Sequence, residues 1–169
     1  MQDQAESMLV NNLASSLQHN IRLFDSQMYD ALAETQALAP RISLITNLHL
    51  LAAQPGEPKS LYELQRRAEL IKSTGFKAVS IYDTQEQMVG QAGHAAKTPV
   101  LSVAVNSPLH AVLLWDQEFI LQARIDIRDA QQRRLGTVVT ERQLPQLMHA
   151  IDDAKTIGKS VELAVCAPQ

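Results

Sequence analysis

One arginine stands in the middle of the strand-like run EFILQARIDIRD, and it is the side chain in this sequence best suited to hold a ligand. Alternation puts Phe119, Leu121, Ala123, Ile125 and Ile127 on one face, with Ile120, Gln122, Arg124 and Asp126 on the other. A guanidinium is a planar fork that matches a carboxylate, and arginine is seldom buried without a partner. If the Gln122/Arg124 face lines a cavity, Arg124 would take a carboxylate there. On a solvated face it would instead pair with Asp126 or with an acid from a neighbouring strand. In KAVSIYD, Ser80 and Tyr82 share a face opposite Val79 and Ile81, and Tyr82 suits a ligand wall or an ordinary core edge equally well. Trp115 closes HAVLLW as a candidate ligand contact or a structural residue at a turn, and His110 and Lys77 flank the same expected sheet. A basic group at a pocket mouth fits an anionic ligand, and a solvated strand end fits as well.

Side chains arranged for catalysis are missing. The sequence has no nucleophile-elbow G-x-S-x-G, no phosphate loop, no G-x-G-x-x-G and no H-E-x-x-H. Its five histidines, at 19, 49, 94, 110 and 149, are spread one per segment without ligand-like spacing. Asp152 and Asp153 are helical neighbours that point in different directions, so they read as a solvated face and not as a carboxylate pair. Cys166 is the single cysteine, which excludes an internal disulfide. No nucleophile, base and orienter come together, so the chain is expected not to be an enzyme and to carry no cofactor or metal.

Several elements must position these residues. Leu9, Leu13, Leu17, Ile21, Phe24, Met28 and Leu32 recur at helical steps, which predicts one helix over about 4–38. At 1.5 Å per residue it would be about 50 Å long, so it must run past the body of its domain or pair with another chain. ISLITNLHLLAAQ predicts a second helix, and QPGEPK breaks the chain. Ser60 then stands as an N-cap with Glu63 three residues on, opening a helix that stops at Gly75. Beyond it the period shortens to two. KAVSIYD, QEQMVGQAG, HAVLLW, EFILQARIDIRD and RRLGTVVTE read as strands, TPVLSVAVN as a strand or a short helix, QLPQLMHAIDDAKTIG as a helix and KSVELAVC as a final strand.

With 169 residues the chain can bury one core. A net charge of −3 with scattered Lys and Arg excludes nucleic acid as a partner, because binding phosphates requires a basic surface. No apolar run reaches the roughly 20 residues of a membrane span. The chain stops soon after a strand-like run, an abrupt ending that reads as a segment of a longer protein.

The order of these segments resembles the Cache family of bacterial sensor domains. GFKAVSIYDTQEQMVGQAG resembles its first hairpin, EFILQARIDIRDAQQRRLGTVV its late hairpin with Gly136 after the turn, and TERQLPQLMHAIDDAKTIGKSVELAVC its closing helix and strand. The resemblance implies an α+β fold, with a long N-terminal helix packed on a PAS-like antiparallel sheet of five to six strands. It divides the chain into a signalling helix, 1–39, and a ligand-binding core, 40–169. It further implies a periplasmic, ligand-binding domain of a membrane-anchored chemoreceptor, histidine kinase or cyclic-di-nucleotide enzyme. The apolar stripe of the N-terminal helix would serve as the seam of a homodimer or pack entirely on its own sheet. The amino-acid-binding motif of that family, with an aromatic pair after its arginine, is absent: Tyr62 is followed by Arg66, Arg67, Ala68 and Glu69. Carboxylate-sensing relatives use Arg and His near the central strands, where Arg124 and His110 stand. The ligand is expected between the sheet and the loops QPGEPK and AGHAAKTP. A ligand-free dimerisation or protein-interaction module is the alternative.

Overall fold

The computed structural model describes residues 2–149 and residue 152. Helix α1 spans Gln2–Gln36, α2 Ile42–Ala53 and α3 Pro58–Lys72. Six strands follow: β1 Ala78–Tyr82, β2 Met88–Gly93, β3 Leu101–Val105, β4 His110–Trp115, β5 Phe119–Arg128 and β6 Arg134–Gln143. The backbone is helical again over 145–149. TPVLSVAVN is therefore a strand, while the final strand read in KSVELAVC, together with Asp153 and Cys166, lies outside the described residues.

All six strands form one antiparallel sheet in the order β2-β1-β6-β5-β4-β3. The three helices cover one face of it. Phe24, Ala31 and Leu32 of α1 pack with Leu113, Phe119, Leu121 and Ala123. Leu44 and Leu48 of α2 and Leu64, Ala68 and Ile71 of α3 pack with Val79, Ile81, Ile127 and Val138. The odd-numbered side chains of β5 thus serve both apolar clusters, as their alternation requires. Ile21, one turn before Phe24, is 51 % exposed, so the leader runs past the sheet at that level. Deeper in, α1 is keyed to β6 by polar contacts. Thr35 Oγ1 donates to the Ala31 carbonyl at 2.8 Å and lies 2.7 Å from Thr140 Oγ1, and Arg142 pairs with Glu34 at 2.8 Å.

The cap of α3 differs from the sequence expectation. Pro58 occupies the first helical position, where its missing N–H and fixed φ cost nothing, so the helix starts two residues before Ser60. Glu57 caps it, accepting from the Lys59 and Ser60 amides at 3.2 and 2.5 Å. Ser60 is buried inside the first turn.

Gly136 sits where β6 meets β1 under α2. A Cβ there would lie 2.3 Å from the Tyr82 carbonyl oxygen and 3.0 Å from Leu48 Cδ2. Main chain cannot yield as a flexible side chain does, so Gly136→Ala is expected to destabilise the fold by about 3 kcal/mol. Urea unfolding would register this as a lower midpoint at unchanged slope.

Candidate ligand-binding face

The face of the sheet opposite the helices carries most of the residues singled out in the sequence. Across the strands, Tyr82 stands opposite Thr137, Ser80 opposite Val139, Gln122 opposite Glu141, and His110 opposite Arg124. Register therefore gathers Ser80, Tyr82, His110, Gln122 and Arg124 on one surface. It does not bring Trp115 there, because that residue alternates to the helix side and packs against Phe119 with ring centroids 4.7 Å apart. Lys77 pairs with Glu118 of the β4–β5 turn.

Topology gives this face its cover. β2 and β3 are the two edges of the sheet, and the chain between them, residues 94–100, must cross all the strands in between. Five inter-strand gaps of about 4.8 Å make about 24 Å. Eight Cα steps reach at most about 28 Å. The segment is a nearly taut strap. It is fastened at its third residue, where the Ala96 amide donates to Glu141 Oε2 at 2.9 Å, while Gln122 Nε2 donates to the other oxygen at 2.8 Å. Glu141 is 2 % exposed, and among the described residues its carboxylate is held by two neutral donors. The signal for it lay in RRLGTVVTE, where a charged residue ends a buried strand just as Arg124 interrupts β5.

Further along the same face, two guanidinium groups converge on one carboxylate. Arg124 Nη2 donates to both oxygens of Glu86, at 3.0 and 2.7 Å, and Arg134 Nη2 donates to Glu86 Oε1. Glu86 sits on the β1–β2 turn with φ of 59°, a left-handed conformation uncommon outside glycine and asparagine. The hydrogen bonds from Arg124, and then those from Arg134, hold the Glu86 carboxyl below its usual 4.5. Asp126 is taken up by Arg128 at 2.8 Å and by the Thr137 hydroxyl at 3.3 Å. Arg124 is thus paired with an acid, but the acid comes from a turn. Neither Glu86 nor Arg134 was legible as a partner in the sequence, because only the paired register of β5 and β6 brings them to Arg124.

The two loops expected to enclose one ligand are separate. AGHAAKTP supplies the strap, whereas QPGEPK contributes Pro55 and Gly56 to a cavity of about 300 Å³ under α2. That cavity is also lined by Asp83, Thr84, Gln85 and Gln87, so the turn that presents Glu86 to the arginines forms one of its walls. The five histidines are all exposed. Among the described residues no three His, Cys, Asp or Glu side chains are grouped to hold a metal. None of the described helices is long and apolar enough to cross a membrane.

No protein-family model matches the sequence, and no curated protein sequence matches it. Solved structures do. The chain is similar to the sensor domain of E. coli DcuS, with 19 % identity over 78 % of this chain and 99 % of that one and a TM-score of 0.52. It is also similar to the periplasmic domain of Vibrio cholerae LuxQ, with 14 % identity over 85 % of this chain and 70 % of that one and a TM-score of 0.55. At such identities the likeness is one of fold: a PAS-like α+β sensor-domain fold with a long leading helix, as the resemblance to Cache domains implied.

Two outcomes follow from this geometry. Glu141→Leu removes the acceptor for two donors, a loss of about 1–3 kcal/mol for each donor left buried. Glu141→Gln keeps one acceptor and is expected to lose less in urea unfolding. Because the Glu86 carboxyl is lowered by its arginines, its contribution is complete above 4.5 and fades as pH falls through the lowered value. Midpoints measured down a pH series should therefore fall less steeply below 4.5 in Glu86→Gln than in the unsubstituted chain.

Proposed function

We propose that this chain is the ligand-binding domain of an extracytoplasmic sensor, that it is not an enzyme, and that it recognises a small molecule carrying a carboxylate. The observation that carries the reading is the pair Arg124 and Arg134 closed on Glu86. Two guanidinium groups aimed at one carboxylate form a site for a carboxylate, and Glu86 occupies it from a turn. A ligand carboxylate would exchange with Glu86 and free the turn Asp83–Gln87. The cavity of about 300 Å³ under α2 shares only the turn with this site, so freeing the turn would also alter one of its walls. His110, beside Arg124 in the register, would contribute at the rim, with Tyr82, Ser80 and Gln122 completing the face. Lys77 and Trp115, the remaining sequence candidates, would act only indirectly, through the β4–β5 turn.

The change would reach the leading helix along β6. Arg134 begins this strand, and Thr140 and Arg142 near its end hold Thr35 and Glu34 of α1. A ligand moves such an equilibrium only through its differential affinity for the two arrangements. In the parent protein, 1–39 would act as the signalling helix, pairing with its counterpart in a homodimer, and 40–169 as the receiving core. The output could be chemotactic, kinase or cyclic-di-nucleotide signalling. A ligand-free interaction module is the second reading. The strap favours it, because it leaves Ser80 and Glu141 only 5 % and 2 % exposed.

Thermal unfolding against acetate, succinate, citrate, primary amines and sugars decides between them. Ligands that bind only the native chain raise its melting temperature with the logarithm of their concentration. Carboxylates are expected to do so, to bind more tightly to Glu86→Ala, which lacks the internal competitor, and to lose the effect in Arg124→Ala. Stabilisation undiminished in Arg124→Ala would move the site elsewhere, and no stabilisation by any compound would leave the interaction module.

A further inference from the structure

The two edges of the sheet are treated differently. At the β2 edge, the side-chain amide of Gln65 on α3 donates to the Gln91 carbonyl at 2.8 Å and accepts from the Gln91 amide at 3.1 Å. A carboxamide placed this way imitates one peptide unit of a neighbouring strand and blocks that edge. β3, at the other edge, has no strand beside its outer side among the described residues. Exposed edge strands template pairing, and proteins usually guard them with charge, proline or a bulge. Here the twelve residues 98–109, TPVLSVAVNSPL, contain no charged side chain, and the two prolines lie outside Leu101–Val105. Val100 and Leu101 are 83 % and 52 % exposed.

We infer that the outer edge of β3 pairs antiparallel with β3 of a second copy of this chain, about a two-fold axis at Val103. Symmetry sets the pairs: Val103 faces itself, Leu101 faces Val105, and Ser102 faces Ala104. Leu101, Val103 and Val105 point to the helix side, where Val105 already packs against the apolar cluster of α1, β4 and β5. The pairing therefore carries that apolar layer across the junction and covers Leu101. A two-fold axis at Val103 brings a charge at or next to that residue close to its own copy, which is destabilising in a directly opposed pair. The absence of charge over Leu101–Val105 suits a self-partner in a way that a charged peptide would not need. Five residues per copy bury less than a standard interface of about 1,600 Å², so the association is weak and concentration-dependent. It is separate from any pairing of the leading helices, and in one assembly the two contacts would serve different neighbours.

Disulfide trapping in a Cys166→Ser background tests the register. Directly opposed residues in an antiparallel pair have Cα atoms about 4.5–5.5 Å apart, within the range of a disulfide. Under mild oxidation Val103→Cys is expected to form a covalent dimer. Leu101→Cys is expected not to, because its symmetry mate is displaced by about 13 Å along the strand. Sedimentation of the uncrosslinked chain from micromolar to millimolar concentration should show a monomer–dimer equilibrium that Ala104→Lys, at an exposed position, shifts to monomer. A chain that stays monomeric throughout, or a dimer that persists in Ala104→Lys while Val103→Cys fails to crosslink, overturns the inference.

Discussion

The strap depends on one constraint. β2 and β3 lie at opposite edges of a six-stranded sheet and are joined by seven residues, so the joining chain has almost no slack. It cannot pass round the helices, which fill the other face, and it cannot bulge far from the sheet. The face beneath it is closed over Glu141 and open towards the β1–β2 turn, where Arg124 and Arg134 lie. This division between a sealed half and an accessible half decides which part of the face a molecule from solvent can reach, more than the identity of any one side chain on it.

β6 joins the two sides of the molecule. Near its end, consecutive residues alternate in direction and in task. Thr140 reaches Thr35 on α1, Glu141 holds the strap and Gln122, and Arg142 reaches Glu34 on α1 while stacking over Phe76 at 4.8 Å. Period-two alternation alone produces this arrangement. The strap and the leading helix are thus held by adjacent residues of one strand. Buried hydrogen bonds such as Thr35–Thr140 have little tolerance for partial disengagement, since an unsatisfied buried hydroxyl is costly.

How much of this was legible beforehand follows from which interactions are local. The leader, the two short helices and the alternation in EFILQARIDIRD are set by side-chain period, and the structure has them close to where the sequence puts them. The separation of Ser80 and Tyr82 from Val79 and Ile81 follows for the same reason. A local rule failed at the start of α3, where proline preference outweighed a capping box. Strand order has no local signature, and the strap, the Arg124–Glu86–Arg134 clasp and the distance between the QPGEPK cavity and the AGHAAKTP strap all depend on it. Trp115 shows the limit most plainly, since counting along HAVLLW alone does not say which side the helices take.

Amide chemical-shift mapping during a titration with succinate is the most direct test of the proposed carboxylate site on the open face. The account predicts the largest changes at Glu86 and its turn, at Arg124 and at Arg134, with smaller ones following β6 to Thr140 and across to Thr35. Changes confined to α1–α3, with the turn and both arginines unmoved, would contradict it, as would a spectrum that succinate leaves unaltered.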